Sequence, residues 1–280
     1  MLARLVHVSR PVLWVNTIGP TVIGVWLIGD LWRWDAVALL LWATLPFNLL
    51  IYGVNDIFDQ ETDAQNTRKG GLEGARILAS ETRTIVVAIL VTNAPFLVYF
   101  AATMPLEALA WVVAYIAIFV FYSAPPLRFK ARPIVDSLSN AAYAFPLIVV
   151  PLALKESPMW AAAIGLMAWS VAKHAYDAVQ DIDEDRSASI TTTAVQFGVR
   201  GTVAWSGAWW VLSTVCFALI NWPVAVVNAL IAGWLAVSLW RNPSPATARG
   251  LYRYSIAFPY VAGSVAGAQL VAAILLGFYP

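Results

Sequence analysis

Nine long apolar stretches divide this chain, and they constrain its fold more than any other feature of the sequence. They cover residues 11–29, 36–55, 84–103, 107–123, 136–154, 159–177, 202–220, 223–240 and 254–276. Each is close to the roughly 20 apolar residues that cross a lipid bilayer as a helix. The breaks between them are polar, and none is long enough for a further soluble domain. We therefore predict an all-α bundle of about nine transmembrane helices, forming a single domain over residues 1–280.

The composition agrees with a membrane protein. Apolar residues make up 60% of the chain and charged residues 12%, whereas soluble domains are about one quarter charged. The formal net charge of +1 excludes a nucleic-acid binder that works by neutralising phosphates. The first apolar stretch is too long for the core of a signal peptide, so we expect it to remain as a helix.

The basic residues predict the orientation in the membrane. Fourteen of the 17 Lys and Arg residues fall on the side that holds the N-terminus, and only Arg33 and Lys155 fall on the other side. Because positive residues collect in the cytoplasm, we predict a cytoplasmic N-terminus in the cell membrane. Twelve of the 16 acidic residues lie on the same side, which that rule does not explain. A simple structural bundle has no need of so many acids on one face.

A first acidic cluster ends the second apolar stretch. Asp56, Asp59 and Asp63 are spaced i, i+3 and i+7, so they share one face if the helix continues through them. Polar residues near the same stripe precede them, namely Asn48, Tyr52 and Asn55. Asn16, in the first stretch, needs a polar partner, which is either the substrate or another helix. We predict Asn16, Asn48 and Tyr52 as possible substrate contacts.

A second acidic cluster ends the sixth stretch, where Asp177, Asp181 and Asp185 are spaced i, i+4 and i+8. Three carboxylates on one face repel each other unless a cation lies among them. Oxygen ligands select Mg²⁺ or Mn²⁺, and Mg²⁺ is commonly shared with substrate phosphates. The alternative is that these acids are simply solvated helix ends. Two such clusters on one side of the membrane favour the metal site, because ionisable residues seldom enter membrane helices without a function.

Basic residues follow both clusters in the sequence. Arg68 and Lys69 come after the first, and Arg186 comes directly after the second. A turn stiffened by Pro125 and Pro126 separates the fourth and fifth stretches. It carries Tyr122, Arg128 and Lys130. Acids, metal and bases together describe a diphosphate site, whereas the alternative is ordinary anchoring of the helices, which we expect for Arg241, Arg249 and Arg253. Lys173 either pairs with Asp177 or extends towards the headgroups, and Asp136 and Ser137 are expected to cap the fifth helix.

The acidic motifs, taken together, resemble those of the UbiA superfamily of intramembrane prenyltransferases, and most of all the bacterial lycopene elongases. The stretches that carry the resemblance are RPVLWVNT at 10–17, NDIFDQETD at 55–63, NTRKGGLEG at 66–74, YSAPPLRFK at 122–130 and DAVQDIDEDR at 177–186. The chain differs at Asp177, where elongases often carry a small residue. Nine helices with a cytoplasmic N-terminus also match the superfamily.

The resemblance implies an enzyme that uses two Mg²⁺ ions, one for each Asp motif, to bind the diphosphate of an allylic donor. The metal ligands would come from Asn55, Asp56, Asp59, Asp63, Asp177, Asp181 and Asp185, and five of these are the predicted catalytic residues, namely Asp56, Asp59, Asp63, Asp181 and Asp185. The remaining charge of the diphosphate would be bound by Asn55, Arg68, Lys69, Tyr122, Arg128, Lys130 and Arg186. In an elongase the donor is dimethylallyl diphosphate and the acceptor is lycopene, which enters from the lipid bilayer.

Three alternatives stay open. Within the same superfamily, the acceptor is a quinone precursor or another aromatic ring, or it is a lipid. From a different class, the chain is a transporter that uses intramembrane carboxylates. Transporters place their sites near the middle of the membrane, whereas these acids lie at one edge, so the sequence favours the enzyme.

Overall fold

All regular secondary structure is helical in the part that the computed structural model describes, which comprises residues 1–29, 32–60 and 75–278, and no strand occurs in these ranges. The α-helices in them are α1 (Leu2–Val8), α2 (Val15–Ile28), α3 (Trp34–Trp42), α4 (Leu45–Phe58), α5 (Thr82–Thr103), α6 (Leu106–Ser123), α7 (Val135–Leu138), α8 (Pro146–Ala153), α9 (Trp160–Ala178), α10 (Ile182–Ser187), α11 (Thr193–Ala218), α12 (Trp222–Arg241) and α13 (Pro245–Leu275). The all-α prediction is confirmed.

Helices occupy all nine of the predicted apolar stretches. Within the described ranges, seven helical segments are long and apolar enough to cross a membrane, and they include the broken segments Trp34–Phe58 and Val135–Ala153. The other two stretches form α9 and α11, which carry more polar side chains. The count of nine crossings therefore stays a prediction, as does the orientation of the N-terminus.

Two of the predicted continuous helices are interrupted. The second stretch breaks at Thr44 into α3 and α4, and the fifth consists of α7, a 3₁₀ helix over Ser139–Ala144, and α8. A proline stands in the first turn of the helix that follows each break, Pro46 in α4 and Pro146 in α8. Proline lacks an N–H and is favoured at such a start, which explains why both helices begin anew there.

The helices form two compact units. The first comprises Met1–Arg128 and Phe145–Pro158, and the second comprises Phe129–Ala144 and Met159–Pro280. We call them unit one and unit two.

Aromatic side chains and one amide hold unit one together around the break between α3 and α4. The rings of Trp42 and Tyr115 flank the ring of Phe47. The centroid of the Phe47 ring lies 4.3 Å from the ring centroid of each of them. Asn93 of α5 accepts a 2.8 Å hydrogen bond from the Trp42 indole and donates one of 2.8 Å to the carbonyl of Pro46. A single side chain of α5 thus fixes both helices that meet at the break.

Close helix packing builds unit two. Gly165 of α9 lies against α11, where an added Cβ atom would stand 2.8 Å from the ring of Phe217. The hydroxyl of Tyr176 donates to the carbonyl of Leu235, joining α9 to α12. Helix α11 is kinked at Gly198, whose φ of 65° is a conformation that favours glycine. The residues before Gly198 therefore do not continue the axis of the longer part of the helix.

Candidate functional site

The first acidic cluster lies at the end of α4. Helix α4 ends at Phe58, and Asp59 follows it directly. Asp56 is fully buried and Asp59 is 8% exposed. Asp63, predicted to continue the same face, lies outside the described residues, as do Arg68 and Lys69.

Among the described residues, Arg10 is a cation that contacts this cluster. Its Nη2 atom lies 2.5 Å from Asp56 Oδ1 and 3.4 Å from Asn55 Oδ1, and its guanidinium covers the Tyr52 ring at 4.7 Å from the centroid. The contact pairs the buried carboxylate with a positive charge, the kind of partner that buried charged groups in proteins have. Arg10 was not among the predicted site residues, although its position directly before the first apolar stretch could have indicated such a role.

Asn55 positions Asp59. Its Nδ2 atom donates to Asp59 Oδ2 over 2.9 Å and to Ser123 Oγ over 3.0 Å. Ser123 is the last residue of α6 and precedes the proline turn. The amide therefore connects the acidic end of α4 to the start of that turn within unit one.

Asn16 and Asn48, the two asparagines predicted as possible substrate contacts, differ in burial. Asn48 is fully buried, and its Nδ2 atom lies 2.8 Å from Thr17 Oγ1 and from the carbonyls of Ala43 and Thr44. Through these contacts, Asn48 of α4 connects to the residues at the break between α3 and α4 and to Thr17 of α2. Asn16 is half-buried on α2. A substrate contact by Asn16, Asn48 or Tyr52 stays a prediction.

The second acidic cluster does not lie on one uninterrupted helix. Helix α9 ends at Ala178, a 3₁₀ helix covers Val179–Asp181, and α10 then begins at Ile182. The expected single face of Asp177, Asp181 and Asp185 is therefore interrupted, because the tighter turn of a 3₁₀ helix shifts the residues that follow it.

Asp177 is engaged within unit two. Its Oδ2 atom lies 2.5 Å from Lys173 Nζ, and its Oδ1 atom accepts a hydrogen bond of 2.5 Å from Ser255 Oγ on α13. The predicted pair with Lys173 is confirmed. Because both of its oxygens are bound to protein groups, Asp177 is better suited to joining α9 and α13 than to binding a metal or substrate. Its predicted roles as a metal ligand and as a substrate contact stay predictions.

The surroundings of Asp185, which lies outside the membrane segments, disfavour its charged form. Burial raises the pKa of its carboxyl to about 7, and the negative charge of Asp181 adds to the rise. The Thr192 hydroxyl, which donates to Asp185 Oδ2 over 3.2 Å, acts in the opposite direction. A carboxyl in this state is stabilised in its charged form by the arrival of a cation.

The bases of the predicted diphosphate site occupy different places. Tyr122, Arg128 and Lys130 are all half-buried at the proline turn. The backbone of Arg128 has a φ of 42°, and its N–H donates to the carbonyl of Ala124 over 3.0 Å, which closes the turn. Arg186 is exposed on α10.

Arg249 was expected only to anchor α13, but it accompanies the second cluster. Its guanidinium nitrogens lie 3.7 Å from Asp183 Oδ2 and 3.7 Å from Glu184 Oε1. All three side chains are well exposed, so these pairs add little stability. Nothing in the local sequence indicated this contact.

The oxygen ligands of both clusters fit a hard divalent cation. No group of three or more acids, histidines or cysteines in the described ranges is close enough to hold a metal unaided. Mg²⁺ is usually bound by one or two carboxylates and completes its coordination with water and substrate phosphate. Asn55 with Asp59 in unit one, and Asp181 with Asp185 in unit two, are suited to such a partial ligand set.

Comparison with known proteins identifies the family. The model of the UbiA prenyltransferase family matches residues 17–258. The chain is 36% identical to the lycopene elongase/hydratase of Haloferax volcanii over 83% of this chain and 80% of that protein, and 30% identical to the lycopene elongase/hydratase of Corynebacterium glutamicum over 94% and 95%.

A solved structure has the same fold. A UbiA homologue from Archaeoglobus fulgidus, bound to DMAPP and Mg²⁺, superposes with a TM-score of 0.62 over 94% of this chain and 99% of that one, at 18% identity. The fold, the acidic motifs and the family match agree, and we conclude that this chain belongs to the UbiA prenyltransferase family.

Proposed function

We propose that this membrane protein transfers a dimethylallyl group from dimethylallyl diphosphate to lycopene. The observation that carries the proposal is its similarity, over most of both chains, to lycopene elongase/hydratases. The bound donor and Mg²⁺ of the Archaeoglobus homologue support the choice of donor and metal. We extend the metal requirement to Mn²⁺, because the same oxygen ligands suit both ions.

The acids of both units would hold the metal ions. Asp59, oriented by Asn55, supplies a carboxylate in unit one, and Asp181 and Asp185 supply carboxylates in unit two. Bound Mg²⁺ supplies Lewis-acid neutralisation of the donor diphosphate. Asp63, Arg68 and Lys69 join this set as predictions from the sequence.

The bases would stabilise the leaving group. When the allylic C–O bond breaks, its electron pair stays on the diphosphate oxygen, and the negative charge there grows. Arg128 and Lys130, held in the proline turn, are the cations we assign to that charge, and Tyr122 donates a hydrogen bond beside them. The alkene of the acceptor then forms the new C–C bond with the allylic carbon, and a proton leaves the product.

A hydrocarbon acceptor is consistent with the charges of the chain. An aromatic acid would need an additional cation for its carboxylate, and Arg10, a largely buried base of unit one, already contacts Asp56. A polyene requires only apolar and aromatic side chains, in which both units are rich.

Expression in a lycopene-producing host tests this proposal. We expect pigments that are one or two five-carbon units longer than lycopene, and labelled dimethylallyl diphosphate should enter them in isolated membranes. The Asp59→Ala variant is the inactive control. Unchanged lycopene, together with prenylation of an aromatic acid by the same membranes, would contradict the assigned acceptor and leave the family assignment intact.

We also propose that the acidic clusters lie on the cytoplasmic side. Most of the Lys and Arg residues fall on the same side of the predicted helices as the clusters, and positive residues collect in the cytoplasm. Single cysteines at Ala131 and Ser187, in a Cys216→Ala background, should resist an impermeant thiol reagent added to intact cells. A cysteine at Glu156, on the predicted outer side, should react. Rapid labelling of the first two positions under these conditions would reverse the orientation.

A further inference from the structure

Asp136 is a fully buried acid that the proposed reaction does not use. It was expected to cap its own helix, α7, but that expectation is wrong. Its Oδ2 atom accepts a 2.8 Å hydrogen bond from the N–H of Thr193, the first residue of α11, and its Oδ1 atom accepts the Thr193 hydroxyl proton. Asp136 therefore caps α11, which lies 57 residues further along the chain.

Thr193 is held from a second direction as well. It is fully buried, and its hydroxyl oxygen accepts a 2.7 Å hydrogen bond from the N–H of Ile134. The threonine thus has its backbone N–H, its hydroxyl proton and its hydroxyl oxygen all bound. Such complete satisfaction fixes both the side chain and the backbone at this point.

The preceding residue, Thr192, connects this fixed point to the second acidic cluster. Its hydroxyl oxygen accepts from the N–H of Val195 over 3.3 Å, and its hydroxyl proton goes to Asp185 Oδ2 over 3.2 Å. A hydroxyl has only one proton to donate. Its acceptance from Val195 and its fixed backbone direct that proton to Asp185.

The backbone between the two sites folds back on the same acid. Ser189 has a φ of 56°, and the N–H of Ile190 donates to the carbonyl of Asp185 over 2.8 Å. Asp185 therefore accepts hydrogen bonds at its main-chain carbonyl and at one carboxylate oxygen. All the residues of this chain of contacts belong to unit two.

We propose that Asp136 is a positioning residue for the second metal site, acting through Thr193 and Thr192 on Asp185. The Thr192 hydroxyl occupies one oxygen of Asp185 and thereby directs the other towards the cation. Groups of this kind behind a metal ligand typically change metal affinity about 10–100-fold when they are removed. The inference rests on the proposed function, which assigns Asp185 to the metal.

Metal binding by the purified protein tests this inference independently of turnover. We expect Thr192→Val to raise the Kd for Mn²⁺, measured by the loss of the free-ion electron paramagnetic resonance signal, by about 10–100-fold. Thr192→Ser, which retains the hydroxyl, should restore most of the affinity. Asp136→Asn should weaken Mn²⁺ binding in the same direction, and in both weakened variants excess Mg²⁺ should recover kcat.

Ser244 provides the matched control, because its hydroxyl caps α13 in the way that Thr192 caps α11, by accepting from the N–H of Thr247 over 3.1 Å. Ser244→Ala should lower thermal stability and leave the Mn²⁺ Kd unchanged. A Thr192→Val protein with the wild-type Kd would overturn the inference, and so would an Asp136→Asn protein that only melts earlier.

Failure of the underlying function has a different signature. A wild-type protein that binds no Mn²⁺ would overturn both the metal role of Asp185 and the inference. A wild-type protein that binds Mn²⁺ but leaves lycopene unchanged would overturn only the proposed acceptor.

Discussion

The two acidic clusters of this protein are similar in composition and different in electrostatics. Asp56 in unit one is fully buried against the guanidinium of Arg10. Asp185 in unit two contacts a neutral hydroxyl, and the charge of Asp181 opposes its ionisation. Asp56 thus has a protein cation in direct contact, whereas Asp185 contacts a neutral hydroxyl and Lys173, a base of the second cluster, contacts Asp177 instead. Similar acidic spacing in two places therefore does not imply the same local chemistry.

The largest effects should come from the assigned metal ligands. Asp59→Ala and Asp181→Ala should each reduce turnover by roughly a thousandfold or more, because a metal contributes several kcal/mol of charge stabilisation. Labelled dimethylallyl diphosphate and lycopene provide the assay. The exposed neighbour Asp183, changed to Ala, is the matched control and should keep most of the activity. A large loss in only one of the two variants would show that only one cluster binds an essential metal.

Removal of Arg10 tests the internal cation of the first cluster. Arg10→Met takes away the guanidinium that contacts the fully buried Asp56, and breaking a buried ion pair from one side costs about 3–5 kcal/mol. Unfolding by denaturant in mild detergent should show this loss.

The double variant Arg10→Met with Asp56→Asn should recover much of that stability, because the buried carboxylate is then also gone. If Arg10→Met unfolds like the wild type, the pair does not stabilise unit one, and the contrast between the clusters disappears.

The second cluster should respond to pH. Because the pKa of Asp185 is raised to about 7, a bound proton competes with the metal below that pH. Mn²⁺ binding should weaken roughly tenfold from pH 8 to pH 6, since one proton must be displaced. In the absence of metal the sign is reversed, and stability should rise as the pH falls through 7, because the folded state holds this proton more tightly than the unfolded state.

Asp185→Asn is the control for this prediction. It should bind Mn²⁺ more weakly, and its remaining binding should vary little between pH 6 and pH 8. Equal affinity of the wild type at both pH values would mean that Asp185 does not titrate at the metal site.

The smallest effect is expected for Asp177→Asn. Because Lys173 and Ser255 engage its two oxygens, we expect a loss of about 1 kcal/mol in stability and little change in turnover. Unfolding and activity are measured on the same preparation, and Asp181→Ala is measured in parallel as the reference for a lost metal ligand. A loss of activity as large as that of Asp181→Ala would restore Asp177 to the metal ligands.

Local patterns predicted much of this molecule. The length of the apolar stretches predicted the helices. The spacing of the acids at two stretch ends selected Asp59, Asp181 and Asp185 as site residues, and their role as metal ligands stays a prediction. The pair of Lys173 with Asp177 followed from its spacing of four residues, which places both side chains on one side of a helical turn.

What the sequence could not predict depends on partners that are distant in the chain. Arg10 meets Asp56 across 46 residues, and Asp136 meets Thr193 across 57. No periodicity relates such pairs, so Asp136 was assigned to the nearest helix end. The break at Thr44 was missed because an apolar stretch with one proline reads as a continuous helix.

The amide of Asn93 has a consequence for how the protein is made. It bonds to Trp42 of α3 and to Pro46 of α4, but it belongs to α5, which the ribosome synthesises later. Until α5 has been made, the bend is held only by groups of the earlier helices, such as Pro46 and the contacts of Asn48. Asn93 is thus the last of these groups to act on the bend, and a nascent chain that stops before Asn93 should lack its two hydrogen bonds.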